Sequence, residues 1–271
     1  MKVEVRNVSK RNRIVRLSFS LNSGDRIALI GPNGSGKSTL LQIIMGILPP
    51  DQGKVIRNQA RLGAVFQNNI LDETLSILQN LRFRARSNAE LEAAKRLLDQ
   101  FQIQNLKQLY GALSGGQKRI VNFVRTTMLR PNVLLLDELS AGMDIDIKNE
   151  AWQQVQHLMS DGPTVGMIYT THDLGELIYA NKVLFIQDGQ EKYFGSVDQF
   201  VSQMPRYKLV VYGNPQNEER DIVQTTKLFD NSSEVVAYLA GHEQLKQRDF
   251  EVKHTSFDDL FKNIEATHNE N

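Results

Sequence analysis

The 271-residue chain carries 32 Lys and Arg against 31 Asp and Glu, a formal net charge of +1, and no cysteine. That balance speaks against nucleic acid as the main partner, and the missing thiols exclude disulfides and thiolate metal sites and fit a reducing compartment. The opening "MKVEVRNVSK" has no apolar signal-peptide core, and no run reaches the roughly 18 apolar residues of a membrane span, so the expectation is a soluble, cytosolic chain that reaches a membrane only through a partner.

Short apolar runs alternate with longer stretches of helical period. "DRIALI" (25–30) reads as a buried strand. "KSTLLQIIMGIL" (37–48) reads as the helix after it, with Leu40, Leu41, Ile44, Ile47 and Leu48 on one face and Pro49-Pro50 as its stop. Residues 70–130 read as mainly helical. Within them "SNAELEAAKRLLDQF" (87–101) has a cap-like Ser87-Asn88 and an apolar face of Leu91, Ala94, Leu97, Leu98 and Phe101. "NVLLLD" (132–137) and "TVGMIYTTHD" (164–173) follow as strands, and "KVLFIQDGQEKYF" (182–194) as a hairpin turning at Asp188-Gly189. Strands alternating with helices point to an α/β fold with a sheet covered on both faces.

After about residue 200 the texture changes. "RYKLVVYG" is strand-like, an Asn-Pro loop follows, and Ser232-Ser233 can cap a helix to about Lys246. "FEVKHT" reads as a strand and "SFDDLFKNIEA" (256–266) as an amphipathic helix, before a polar tail "THNEN". The expected organisation is a main domain over 1–200, with its helical part at about 70–130, and a small α/β accessory domain over 201–271.

The segment "GPNGSGKST" comprises Gly31, Pro32, Asn33, Gly34, Ser35, Gly36, Lys37, Ser38 and Thr39 and fits G-x-x-x-x-G-K-[ST] between a strand and a helix. In that context the backbone N–H groups can wrap phosphates at the positive end of the helix dipole. Lys37 would reach the β- and γ-phosphates, Ser38 would ligand Mg²⁺, and Thr39 is placed towards the α-phosphate. Asp137 and Glu138 end a buried strand at the sheet edge where α/β folds bind ligands. Asp137 can hold the Mg²⁺ shell and Glu138 can polarise an attacking water. His172 follows another apolar run and could hydrogen-bond the γ-phosphate; taken alone it reads as an ordinary polar contact. Gln67 ends "GAVFQ" and could ligand Mg²⁺ or the water; taken alone it is a strand-end glutamine. The remaining histidines, 157, 242, 254 and 268, have no ligand-like spacing.

A second glycine pair stands in "LSGGQKR" (113–119). Ser114, Gly115, Gly116 and Gln117 should open a helix running to about Leu129, before Pro131. Residues 113–130 hold Lys118, Arg119, Arg125 and Arg130 but no acid, so this is a second electropositive helix start with free N–H groups.

Together these segments resemble the ATP-binding-cassette (ABC) ATPase family. "GPNGSGKST" is similar to its Walker A loop, "VLLLDE" to its Walker B, Gln67 to its Q-loop, "LSGGQ" to its signature, "AGMD" (141–144) to its D-loop and His172 to its switch histidine, in the family's order over residues 1–200. The resemblance implies a P-loop NTPase: a RecA-like core with an antiparallel β subdomain and an α-helical subdomain. It implies ATP and Mg²⁺ as cofactors and ATP hydrolysis as the activity. It also implies why two glycine loops exist: a second ABC ATPase subunit, a copy or close paralogue, packs head to tail, and each "LSGGQ" closes over the nucleotide held by the other. The usual further partner is an integral membrane permease, which would hold the chain at the inner face of the cell membrane.

Departures from the family pattern fall outside the phosphate chemistry. Asn12, in "SKRNRIV", stands where an adenine-stacking aromatic is common, leaving Arg11 or Arg13 to cover the base. Leu139 replaces the usual proline after the acidic pair, and no guanine-reading NKxD is present. "QNNILDETLSILQNLRF" and the region after 200 resemble drug- and polysaccharide-type exporters, so export is expected over import. The alternative is a regulatory ATPase of the same fold with no transport role.

Overall fold

The computed structural model describes residues 1–66, 71–160, 165–212, 223–242, 245, 248–257 and 259. The chain falls into two compact units, Met1–Val197 and Asp198–Asn271.

In the first unit the order is β1 (Lys2–Lys10), β2 (Ile14–Asn22), β3 (Arg26–Ile30), α1 (Lys37–Met45), β4 (Gln52–Asn58), β5 (Leu62–Val65), α2 (Ile77–Arg82), α3 (Asn88–Gln100), α4 (Gly115–Thr127), β6 (Val133–Asp137), α5 (Ile145–Ser160), β7 (Gly166–Thr170), β8 (Lys182–Gln187) and β9 (Gln190–Ser196). Six strands form one sheet in the order β5-β6-β7-β3-β8-β9. Neighbours pair in parallel except in the β8–β9 hairpin. The register sets Asp137 opposite Thr170 and Thr170 opposite Leu29, so the C-terminal ends of β6, β7 and β3 lie in one row. Every residue of β6 and β7 is buried, as expected for parallel strands covered on both faces.

An antiparallel sheet, β2-β1-β4, packs beside this one. Val3, Val5, Leu17 and Leu21 from it, Ile27, Leu135, Ile168 and Leu184 from the larger sheet, and Leu40, Leu41, Ile43 and Ile44 of α1 make one core. The first helix is shorter than the run 37–48 suggests. Gly46 adopts φ 89° and its N–H donates to the Gln42 and Ile43 carbonyls, ending α1. A left-handed glycine closes a helix more cheaply than any other residue. Ile47 is therefore 63% exposed, and Ile43 takes the buried place instead. The Ser87 cap is as expected: its hydroxyl accepts from the Glu90 N–H at 3.2 Å.

The second unit holds α6 (Val197–Ser202, from its second residue on), β10 (Tyr207–Tyr212), β11 (Val223–Phe229), α7 (Ser232–Gly241) and β12 (Phe250–His254). Its sheet runs β11-β10-β12, antiparallel, over a small core of Leu209, Val211, Phe229 and Val235. The helix from residue 232 is capped by Asn231, whose Oδ1 accepts from Glu234 N–H at 2.9 Å, and ends at Gly241, not near Lys246. β11 escapes the sequence pattern because "VQTTKLF" puts polar residues on both faces; pairing with β10 makes it a strand. The Asn-Pro loop, the tail and most of the helix expected over 256–266 lie outside the described residues.

Leu135 is fully buried in the core of the first unit. Leu135→Ala should lower stability by about 2–5 kcal/mol, read from urea unfolding of the full chain; a loss under about 1 kcal/mol would show the site to be loosely packed.

Candidate active site

The turn after β3 admits only glycine at its two critical places. At Gly31, φ 153°, a Cβ would stand 2.0 Å from the Ile186 carbonyl oxygen. At Gly36, φ 103°, it would stand 2.5 Å from the Arg13 carbonyl oxygen. Gly36 is also the N-cap of α1, with no side-chain cap and no acid in the first turn. The first N–H groups of α1 thus gain no side-chain cap from position 36 and face no local carboxylate.

Lys37, 7% exposed, folds back over this loop, its Nζ donating to the Gly31 carbonyl at 2.7 Å and the Pro32 carbonyl at 3.0 Å. Burial pulls its pKa below the ordinary lysine value, while the carboxylates of Glu138 and Asp137 pull the other way. Ser35 Oγ is buried without a hydrogen-bond partner. Asn33 and Gly34 are exposed at the tip, Pro32 and Ser38 are half-buried, and Thr39 is buried. A strained glycine loop, a dehydrated ammonium spending its donors on two carbonyls, and an orphaned hydroxyl together fit a cradle for an oligophosphate.

The acidic edge lies beside it. Asp137, 3% exposed, accepts from Thr170 Oγ1 at 2.8 Å, and the same hydroxyl accepts from the Glu138 N–H at 2.8 Å. Thr170 was not among the expected site residues, although a hydroxyl ending the apolar run "VGMIYT" is a visible signal. Glu138 sits at φ 53°, in the left-handed region, where the chain leaves the strand. His172 Nε2 lies 3.2 Å from Glu138 Oε1, both side chains partly open to solvent. Lys37, Asp137, Glu138 and His172 thus gather from three adjacent strand ends. Gln67 lies outside the described residues.

The described residues contain no group of three His, Asp or Glu able to hold a metal ion. The phosphate loop and the acidic edge offer the oxygen-bearing side chains of Ser38 and Asp137 to a Mg²⁺ ion.

The second glycine pair stands elsewhere. Ser114 and Gln117 form a reciprocal capping box: Ser114 Oγ accepts from Gln117 N–H at 3.2 Å and Gln117 Oε1 accepts from Ser114 N–H at 3.1 Å. A Cβ on Gly115 would meet nothing within 4 Å, so that side of the helix start is open. Gly116 faces the Gly142 carbonyl, and the Arg119 guanidinium donates to the Ala141 carbonyl. Lys118 is paired with Glu73 at 2.7 Å, so the acid-free stretch is not wholly uncompensated. α4 packs on β5, three strands from β3 in the sheet, a lateral offset of about 14 Å at ordinary strand spacing. No hydrogen bond or ion pair among the described residues joins 114–117 to 31–39.

The turn between β1 and β2 carries Asn12 at φ 59° and is fixed by the Arg11 N–H donating to Asp51 Oδ2 at 2.8 Å. The Arg13 carbonyl ties it to the phosphate loop at Gly36. A nucleotide in the cradle would have this turn, without an aromatic, beside it.

Residues 14–141 match the ABC transporter family. The chain is 30% identical to the sulfate/thiosulfate import ATP-binding protein CysA of Methylococcus capsulatus, over 91% of this chain and 81% of that one. It is 31% identical to the protein of the same name from Pseudomonas putida, over 75% and 69%. Among solved structures it resembles an ATP-binding subunit of an ABC transporter, with TM-score 0.67, 23% identity, and coverage of 89% of this chain and 100% of that one. It also resembles a dimeric post-hydrolysis ATP-binding cassette bound to ADP and Pi, with TM-score 0.65, 23% identity, and coverage of 72% and 98%. At that identity the structures establish the cassette fold. The two curated relatives carry import names, so the exporter grouping expected from "QNNILDETLSILQNLRF" gains no support from them.

Thr170→Val should cost about 1–3 kcal/mol in denaturant unfolding, because Asp137 and the Glu138 N–H lose a shared buried partner, whereas Thr170→Ser should lie close to wild type. A loss in Thr170→Ser with Thr170→Val close to wild type would mean that the methyl, not the hydroxyl, matters.

Proposed function

The chain belongs to the family of ABC transporter ATP-binding proteins and is an ATPase subunit of that kind, and from that premise we propose how its residues divide the work. The backbone of 31–39 and Lys37 grip the nucleotide phosphates. On binding, the Lys37 ammonium exchanges its two carbonyl partners for phosphate oxygens, recovering the solvation that burial denies it. Bound Mg²⁺ would neutralise phosphate charge, with Ser38 and Asp137 as its protein ligands. Glu138 accepts the proton of the attacking water as its oxygen bonds the γ-phosphorus and the bond to the β,γ-bridging oxygen breaks. His172, beside Glu138, steadies the γ-phosphate and the water.

The observation that carries this reading is the placement of Lys37, Asp137, Glu138 and His172 at one sheet edge while Ser114–Gln117 stand apart, on a helix over β5. A helix start with an open face, set apart from the phosphate loop of its own chain, suits the triphosphate held by a second copy. Two chains then share two nucleotides, and cleavage removes the γ-phosphate contacts that hold the lid. Separation of the halves moves a membrane permease, through which the chain meets the membrane. No helix among the described residues is long and apolar enough to cross one. Cargo direction belongs to the permease, and the import names of the curated relatives weigh towards uptake rather than the export anticipated from sequence.

Three variants test the division. Lys37→Ala should reduce ATP binding or turnover at least 100-fold, about 3 kcal/mol of charge-assisted contacts, by equilibrium binding and phosphate release; wild-type behaviour would remove Lys37 from the cradle. Glu138→Gln should bind ATP normally, turn over roughly 100-fold or more slower and accumulate as a dimer by light scattering. A trapped form that stays monomeric would overturn the shared site. Ser114→Arg should leave ATP affinity of the monomer unchanged and block turnover.

A further inference from the structure

Behind the reacting edge lies a carboxylate that the proposed hydrolysis does not use. Glu176 is 2% exposed. Its Oε1 accepts from Ser140 Oγ, from Trp152 Nε1 at 3.3 Å and from Lys148 Nζ at 3.0 Å. Its backbone carbonyl accepts from the Tyr169 hydroxyl at 2.6 Å. Lys148 also pairs with Asp173 at 2.5 Å. Trp152 is wedged between rings, edge-on to Tyr169 at 4.9 Å and stacked on Tyr179 at 4.3 Å, so its indole N–H has little freedom to turn away.

The donors come from separate pieces of chain, and their positions matter. Ser140 lies two residues after Glu138. Asp173 lies one residue after His172. Lys148 and Trp152 belong to α5, one and two turns in from its start. One buried carboxylate therefore joins the loop that carries Glu138, the turn that carries His172 and a rigid helix. A buried carboxylate is tolerated only when its oxygens are satisfied, so the four groups hold together as a set.

We propose that Glu176 is a positioning residue for ATP hydrolysis: through Ser140 on one side and Lys148–Asp173 on the other, it fixes the spacing of Glu138 and His172. Those two side chains meet at 3.2 Å, on loops that no regular strand pairing holds beyond Thr170. A general base and its neighbour must keep their places to about 0.5 Å. Among the described residues no hydrogen bond or ion pair joins Glu176 to the Gly31–Thr39 cradle, which lies against the Arg13 and Ile186 carbonyls instead. The device therefore acts on turnover and not on nucleotide affinity. The inference rests on the hydrolysis reading above.

The test uses the full chain, with phosphate release for kcat and KM and equilibrium titration for ATP affinity. Turnover in wild type that vanishes in Lys37→Ala first establishes the hydrolysis reading; its absence would overturn that reading, a distinct failure. Glu176→Ala should then lower kcat about 10- to 100-fold, the scale of an ångström of misplacement, with KM and ATP affinity within about 2-fold of wild type. Glu176→Gln, which keeps an oxygen for Ser140 and Trp152, should recover most of that loss. Ser140→Ala should lower kcat alone, and combining it with Glu176→Ala should add nothing, because both cut one tie. Unchanged kcat in Glu176→Ala, or kcat and ATP affinity falling together, would overturn the inference. If Glu176→Ala does not fold, Ser140→Ala decides: a kcat loss at constant KM supports the tie, and a wild-type kcat removes it.

Discussion

The register of β6, β7 and β3 is the constraint on which the site depends. Parallel pairing sets Asp137, Thr170 and Leu29 side by side, so three loops leave the sheet at one level. The Thr170 hydroxyl then spans two of them, donating to Asp137 and accepting from the Glu138 N–H. A slip of one residue in β7 would turn that hydroxyl to the other face and strand both partners in a buried place. The fully apolar interiors of β6 and β7 fix the sheet, and the sheet fixes the chemistry.

The phosphate loop adds a second kind of constraint, close backbone approach. Gly31 lies against the carbonyl of Ile186 and Gly36 against that of Arg13. One contact ties the loop to β8 and the other to the β1–β2 turn, so the antiparallel sheet and the main sheet clamp it from two sides. What remains open is the tip, with Asn33 and Gly34 exposed and Lys37 held over the loop in reserve. Preorganisation of this kind leaves little reordering to be done when phosphate arrives.

The accessory unit is held by different means. Among its described residues Leu209, Val211, Phe229 and Val235 cluster as a core, and β10, β11 and β12 pair antiparallel.

How much of this could be read from the residues depended on range. Walker-like and signature segments, the Ser87 and Ser114 caps and the apolar strands were legible because each is decided within a few residues, by sterics, capping and hydropathy. Local chemistry also misled: Ile47 looked like part of a helix face, but Gly46 had already ended the helix, and Asn231 capped where two serines stood next to it. The hydroxyl that ends "VGMIYT" marks Thr170 without showing what it bonds, and nothing nearby in sequence marks Glu176. Their partners lie 33 and 36 residues away, at Asp137 and Ser140. Likewise Glu73, 45 residues from Lys118, neutralises a charge that the local run left bare.

The sequence by itself therefore determined the fold class and the family, since these follow from short patterns whose physics is local. Only the tertiary structure decided which of the candidate site residues meet, that Ser114–Gln117 stand apart from Gly31–Thr39, and that a buried glutamate links the two loops of the reacting edge. Strand order and register bring together residues far apart in the chain, and one chain's residue pattern, read linearly, does not record that order.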